Sequence, residues 1–209
     1  MPPPDFFILK GVPVMCGRYY IDDETAREIE RLVRHLDQKL TGAGKRDVFP
    51  SGQAPVITGR QNEFAAELFT WGFPGFGKSN LIINARSETA LDKRTFRDSI
   101  QSRRCAIPAA GFYEWNSEKE KYTFRKPDDR TCYLAGFYKE FDKGVRFVIL
   151  TTDANDSMKN VHNRMPLILN EEELDAWIFD DSQTELILHK VPGPLKKDAE
   201  YEQQTLLLL

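Results

Sequence analysis

The chain has 209 residues, with 29 Lys and Arg against 32 Asp and Glu, for a net charge of −3. That balance excludes a uniformly basic nucleic-acid binder while leaving room for a local basic groove. Hydrophobic residues make up 41% and charged residues 29%, which is the composition of an ordinary globular domain, and no apolar run is long enough to span a bilayer as a helix. Three cysteines, Cys16, Cys105 and Cys132, are too few and too uneven for a disulfide framework and point to a reducing, cytosolic compartment. They form no CxxC pair, so a zinc site is unsupported; no metal and no cofactor are expected.

In chain order, "MPPPDFFILKGVPVM" has too much proline and no basic stretch for a signal peptide. Residues 1–14 are therefore expected to be a leader, disordered or non-native. Asp22 or Asp23 can cap a helix starting near Glu24, with Ile29, Leu32, Val33, Leu36 and Leu40 at helical spacing and "TGAGKRD" ending it. Strands follow in "APVITG" and "EFAAELFTW", then a glycine-rich loop "GFPGFGKSN" and a buried strand "LIIN". A short helix is expected at "RTFRDSIQ", and strand-turn-strand at "RRCAIPAAGFYEWN". "KYTFRK", "TCYLAGFYKEF" and "VRFVILTTDA" continue as strands. Asn170 caps a helix in "EEELDAWIF", and "TELILHKV" reads as a last strand. The order is not alternating βαβ, so the expected fold is α+β on antiparallel sheet: one domain over residues 15–200, with a tail at 201–209.

Four segments carry candidate chemistry. In "MCGRYY", Cys16 sits beside Gly17 and Arg18, and a nearby cation favours the thiolate. If Met15 is the initiator and is removed, Cys16 becomes N-terminal. Its α-amine, with an ordinary pKa of about 7.7–8.0, is then partly neutral in the cell. Amine and thiol on adjacent carbons suit an aldehyde, because imine formation followed by thiol addition closes a five-membered thiazolidine. In "NARSET", Asn84 can orient an amine or carbonyl, and Arg86 can pair with phosphate. In "GFYEW", strand alternation puts Phe112 and Glu114 on one face, where apolar neighbours would desolvate the carboxylate for acid-base work. In "HNRMP", His162 is a loop histidine able to move protons. His35, in the first helix, and His189, in the expected last strand, read as structural.

Together and in this order, the four blocks resemble the signature of the SOS response-associated peptidase family, described as abasic-site processing proteins. The resemblance runs from Met15 to about Phe179. It implies a β-barrel-like core with short flanking helices, a monomer, and a cleft for single-stranded DNA containing abasic sites. It also implies a cytoplasmic protein that is nucleoid-associated when bound to DNA. By resemblance, Cys16, Asn84, Glu114 and His162 are catalytic, and Cys16 links to the ring-opened sugar as a thiazolidine. Arg18 and Arg86 contact phosphates, and Thr151 falls at a DNA contact. Arg94 and Arg164 extend the basic edge, which positions the backbone without reading sequence. Pro55 is counted with these contacts, and Trp71 and Phe76 are expected to stack on an unpaired base. Self-cleavage exposing Cys16 is a further expectation from the family. A Cys-His-Asn thiol peptidase and a non-enzymatic single-strand binder remain as alternatives.

Overall fold

A computed structural model describes residues 17–33, 44–75 and 81–199. The chain opens with β1 (Tyr19–Ile21), helix α1 (Asp23–Leu32), β2 (Arg46–Val48), β3 (Gln53–Arg60) and β4 (Glu63–Trp71). Short strands β5 (Phe73–Pro74), β6 (Leu81–Ile82) and β7 (Asn84–Arg86) lead to α2 (Ser87–Ala90) and α3 (Arg94–Ser102). Next come β8 (Arg104–Ala109), β9 (Gly111–Trp115), β10 (Lys121–Arg125), β11 (Cys132–Phe141) and β12 (Gly144–Asp153). The chain ends with β13 (Arg164–Pro166), β14 (Ile168–Leu169), α4 (Leu174–Phe179), α5 (Thr184–Leu188) and β15 (Lys196–Ala199).

Local chemistry accounts for many of the boundaries. The Asp22 carboxylate accepts the Thr25 N–H at 2.9 Å and caps α1, which satisfies one of the donors a helix start leaves unpaired. Asn170 and Glu173 form a reciprocal capping box ahead of α4. Gln61 and Asn62 both take positive φ, 53° and 60°, as a two-residue hairpin between β3 and β4 requires.

β12, β4, β3, β8 and β11 pair in succession, and a further β11–β12 pairing closes them into a barrel. A second sheet runs in the order β15-β10-β9-β1-β2. The fold is the expected α+β barrel, and most of its pairs are antiparallel. β12, however, runs parallel to both β4 and β7. Neighbouring barrel residues bury on opposite sides: Val56 and Ile149 join the cluster shared with Tyr19, Phe112 and Phe124 of the second sheet, while Ile57 and Val148 join the one shared with Leu174 and Trp177 of α4. Closing a barrel removes the open edges that a flat sheet would expose.

Several expected elements differ from the structure. α1 ends at Leu32, and Val33 is extended and packs with Ile29 and Ala66, so the glycines of "TGAGKRD" do not end the helix. Leu36, Leu40 and His35 lie outside the described residues. "TELILHKV" contains helix α5, not a strand, because Thr184, Ile187 and Leu188 bury at helical spacing. His189 therefore caps a helix, with Nδ1 2.9 Å from the Glu185 carbonyl. The "GFPGFGKSN" loop begins in β5, which pairs with β6, and "LIIN" is split between β6 and β7.

Candidate functional site

The end of β12 organises two of the four blocks. On one edge, β7 runs parallel to it, with Asn84 opposite Ile149 and Arg86 opposite Thr151. On the other edge, β13 runs antiparallel, with Arg164 opposite Asp153. The segments are tied together by Arg164, which is only 12% exposed in its side chain. Its guanidinium donates to Glu88 Oε1 and Oε2 at 2.6 and 2.8 Å, to the Thr151 carbonyl at 2.7 Å, and to Asp153 Oδ1. Burial alone would push the Glu88 carboxyl up, but the Arg164 hydrogen bonds and charge outweigh it and hold the group below its ordinary value.

The second sheet brings in the other two. Tyr19 pairs with Phe112, and the Tyr113 N–H donates to the Arg18 carbonyl at 3.0 Å. Gly17, the residue bonded to Cys16, precedes Arg18 just outside β1, and Glu114 follows Tyr113 within β9. Glu114 is 3% exposed, and alternation places it on the same face as fully buried Phe112. Tyr19, Ile83, Phe112 and Val161, each close in sequence to a candidate residue, belong to one packed cluster.

Trp71 is the strut of that cluster. Its ring lies 5.2 Å from Tyr19 and 6.2 Å from Phe147, and its indole N–H donates to the Ile83 carbonyl at 3.0 Å. It therefore connects β1 to the residue preceding Asn84. Full burial overturns the expectation that Trp71 stacks on a base: no ring face is available.

His162 is half-buried in the loop before β13. Its Nδ1 accepts the Arg164 backbone N–H at 3.1 Å. Burial holds the imidazole below its ordinary value, and the Arg164 charge acts in the same direction.

The expected DNA contacts divide by environment. Arg86 and Arg94 are exposed. Arg18 is not a free cation, because it pairs through Nε and Nη2 with Asp47 Oδ2. Asp47 Oδ1 also accepts the Tyr113 hydroxyl at 3.2 Å. The Arg18 guanidinium lies 4.8 Å from the Phe49 ring centre and 4.9 Å from that of Tyr113. Arg164 is likewise committed, to two carboxylates, so the basic edge is smaller than its arginine count. Pro55 is buried within β3. Thr151 is 1% exposed, and its hydroxyl is 3.4 Å from the Ala85 carbonyl, so neither side chain is open to a ligand as placed. Cys16 and Phe76 lie outside the described residues. Nothing in the sequence marked Asp47 or Asp153, since what gives each its role is a partner distant along the chain.

Cys105 and Cys132 are fully buried. Burial pushes the Cys132 thiol up to about 11 and the Cys105 thiol higher still, so neither offers a thiolate at neutral pH. Among the described residues, no group of three or more His, Cys, Asp or Glu side chains is disposed to hold a metal, and no helix is long and apolar enough to cross a membrane. One cavity of about 220 Å³ opens beside Lys126, Arg130 and Tyr133, and no candidate residue lines it.

The family model for "SOS response associated peptidase (SRAP)" matches residues 15–203, a span that takes in all four blocks. The chain belongs to the SOS response associated peptidase family. Within that family it is 32% identical over 181 residues to the abasic site processing protein YoqW of Bacillus subtilis, covering 78% of this chain and 80% of that protein. It is 36% identical over 181 residues to YoaM of the same organism, and 27% identical over 176 residues to YedK of Escherichia coli, both also abasic site processing proteins. A crystal structure of a Bacteroides thetaiotaomicron protein superposes with a TM-score of 0.74 at 24% identity, covering 88% of this chain and 91% of that one. This last likeness is one of fold.

Proposed function

We propose that this SRAP-family chain processes abasic sites in single-stranded DNA by covalent capture. The observation that supports the reading is the β1–β9 pairing, Tyr19 with Phe112 and the Arg18 carbonyl with the Tyr113 N–H, which leads the chain toward Gly17 on one strand as it leads to buried Glu114 on the other. Family membership and the naming of several relatives as abasic site processing proteins support it. The chemistry requires Cys16 to be N-terminal, so residues 1–15 must be absent or removed. Its α-amine then condenses with the sugar aldehyde and releases water. The thiol adds to the imine carbon, and the thiol proton ends on the ring nitrogen, giving a thiazolidine. Asn84 orients the amine, Glu114 carries protons during condensation and ring closure, and His162 assists sugar ring opening. The working form is a cytoplasmic monomer, and self-cleavage by Cys16 is one route to the free amine.

The first test is the denatured intact mass after incubation with a single-stranded oligonucleotide carrying one abasic site. The expected species is a chain beginning at Cys16 plus the oligonucleotide, less one water. Uncrosslinked protein that begins at Cys16 would overturn the reading. A thiol peptidase would keep its activity with an internal cysteine, and a simple binder would give no complex that survives denaturation.

Exposed Arg86 is assigned to a phosphate, and Arg18 is largely neutralised by Asp47. Arg86→Ala is expected to reduce the slope of log affinity against log salt by about 0.7, the value for one phosphate on a single strand. Arg18→Ala is expected to change it by less. Fluorescence anisotropy with undamaged oligonucleotide at several salt concentrations reads both slopes, and equal losses would place Arg18 on the DNA as well.

A further inference from the structure

Arg164 does two things at once. Its side chain clasps Glu88 through both carboxylate oxygens, at 2.6 and 2.8 Å, and its own backbone N–H donates to His162 Nδ1 at 3.1 Å. An amide N–H can only donate, so Nδ1 must be the lone-pair nitrogen of that ring. In neutral imidazole the proton then resides on Nε2. Protonating Nδ1 would break the amide contact, and burial already disfavours the cation. The guanidinium also holds Asp153 and the Thr151 carbonyl, so β13, the end of β12 and the β7–α2 segment are pinned around the backbone that aims His162. Arg164 reaches His162 through the main chain, and its charged end is occupied by carboxylates.

We propose that the Arg164–Glu88 ion pair is a positioning clamp that presents His162 as a neutral imidazole whose only donor is Nε2–H. The chemical role, which rests on the abasic-site reading above, is that of a polarising hydrogen-bond donor. Nε2–H supports charge developing on a sugar oxygen as the ring opens, and the proton stays on nitrogen. A neutral imidazole held by its second nitrogen is an established way to polarise an oxygen near neutral pH. Arg164 is then a positioning residue, not a phosphate ligand, and Glu88 is its anchor.

The test uses the protein with Cys16 as its N-terminal residue, labelled with ¹⁵N-histidine at pH 7, with the His162 signals identified by their loss in His162→Gln. The expected wild-type spectrum shows one tautomer, Nε2–H. Arg164→Lys, which cannot hold Glu88 through a planar fork, is expected to mix the tautomers. It is also expected to slow crosslinking at saturating abasic DNA by about ten- to a hundredfold, the scale of a displaced catalytic group. Affinity for undamaged single strands should change less than twofold. Glu88→Gln, nearly isosteric, should reproduce the tautomer mixing if Arg164→Lys folds poorly, and the double variant should be no worse than the worse single one. An Nδ1–H or doubly protonated His162 in the wild type overturns the clamp, as does an unchanged tautomer in both variants. A loss of DNA affinity at an unchanged saturated rate would return Arg164 to the DNA. If the wild type forms no complex with abasic DNA, the reading of the site fails, while the spectrum still decides the clamp.

Discussion

Trp71→Ala is expected to lower the unfolding free energy by about 3–5 kcal/mol, the range for truncating a large buried aromatic. The ring is fully buried, packs against Tyr19 and stacks with Phe147, and donates its N–H to the Ile83 carbonyl. Truncation leaves a void where β1, β4, β7 and β12 meet. The Ile83 carbonyl keeps its bond from the Ile149 N–H, so the cost comes mainly from lost packing. Trp71→Phe should restore most of the contact area and lose about 1 kcal/mol for the indole hydrogen bond. Urea denaturation of the three proteins reads the series. A base-stacking role predicts the opposite pattern, with unchanged stability and weaker single-strand binding. Because Trp71 links Tyr19 to the residue before Asn84, surviving Trp71→Ala protein should also crosslink more slowly.

The second large effect belongs to Glu114. Glu114→Gln is expected to slow covalent capture of abasic single strands by about 10²–10⁴-fold, the usual range for removing a general acid-base. Affinity for undamaged DNA should stay within about twofold, because a side chain 3% exposed in β9 has little surface to offer a phosphate. Glutamine keeps the volume and hydrogen-bonding reach of the carboxylate but cannot take up or release the protons that condensation and ring closure require. Single-turnover gels at saturating DNA measure the rate separately from binding. A rate within threefold of wild type would remove Glu114 from the chemistry and leave it as a structural carboxylate. Parallel loss of rate and affinity would instead indicate a disturbed fold.

Much of the chain was legible because the relevant signals are local. The Asp22 cap, the Asn170–Glu173 capping box and the alternation of Phe112 and Glu114 each depend on residues a few positions apart. The α5 segment shows the limit of such signals. "TELIL" is a short apolar run compatible with either strand or helix period, and only its packing against the rest of the cluster containing Trp177 selected the helix.

The sequence alone determined the residue types and their order along the chain. Four blocks bearing cysteine, asparagine, glutamate and histidine, with strand-forming segments between them, sufficed for the α+β class and the family. Tertiary structure decided which of those groups remain available. The β11–β12 closure and the parallel β12–β7 pairing are long-range contacts that no local period encodes. The β7 and β13 pairings to β12 bring Arg164 to Glu88, 76 positions apart, and the β1–β2 pairing of the second sheet brings Arg18 to Asp47, 29 positions apart. An arginine in sequence is only a charge. Whether it meets a phosphate, a carboxylate or a carbonyl depends on what the fold places within about 3 Å. The same holds for Trp71, whose amphipathic ring suits either a base or a core. Closure of the barrel against the second sheet buried it and left Arg86 and Arg94 exposed.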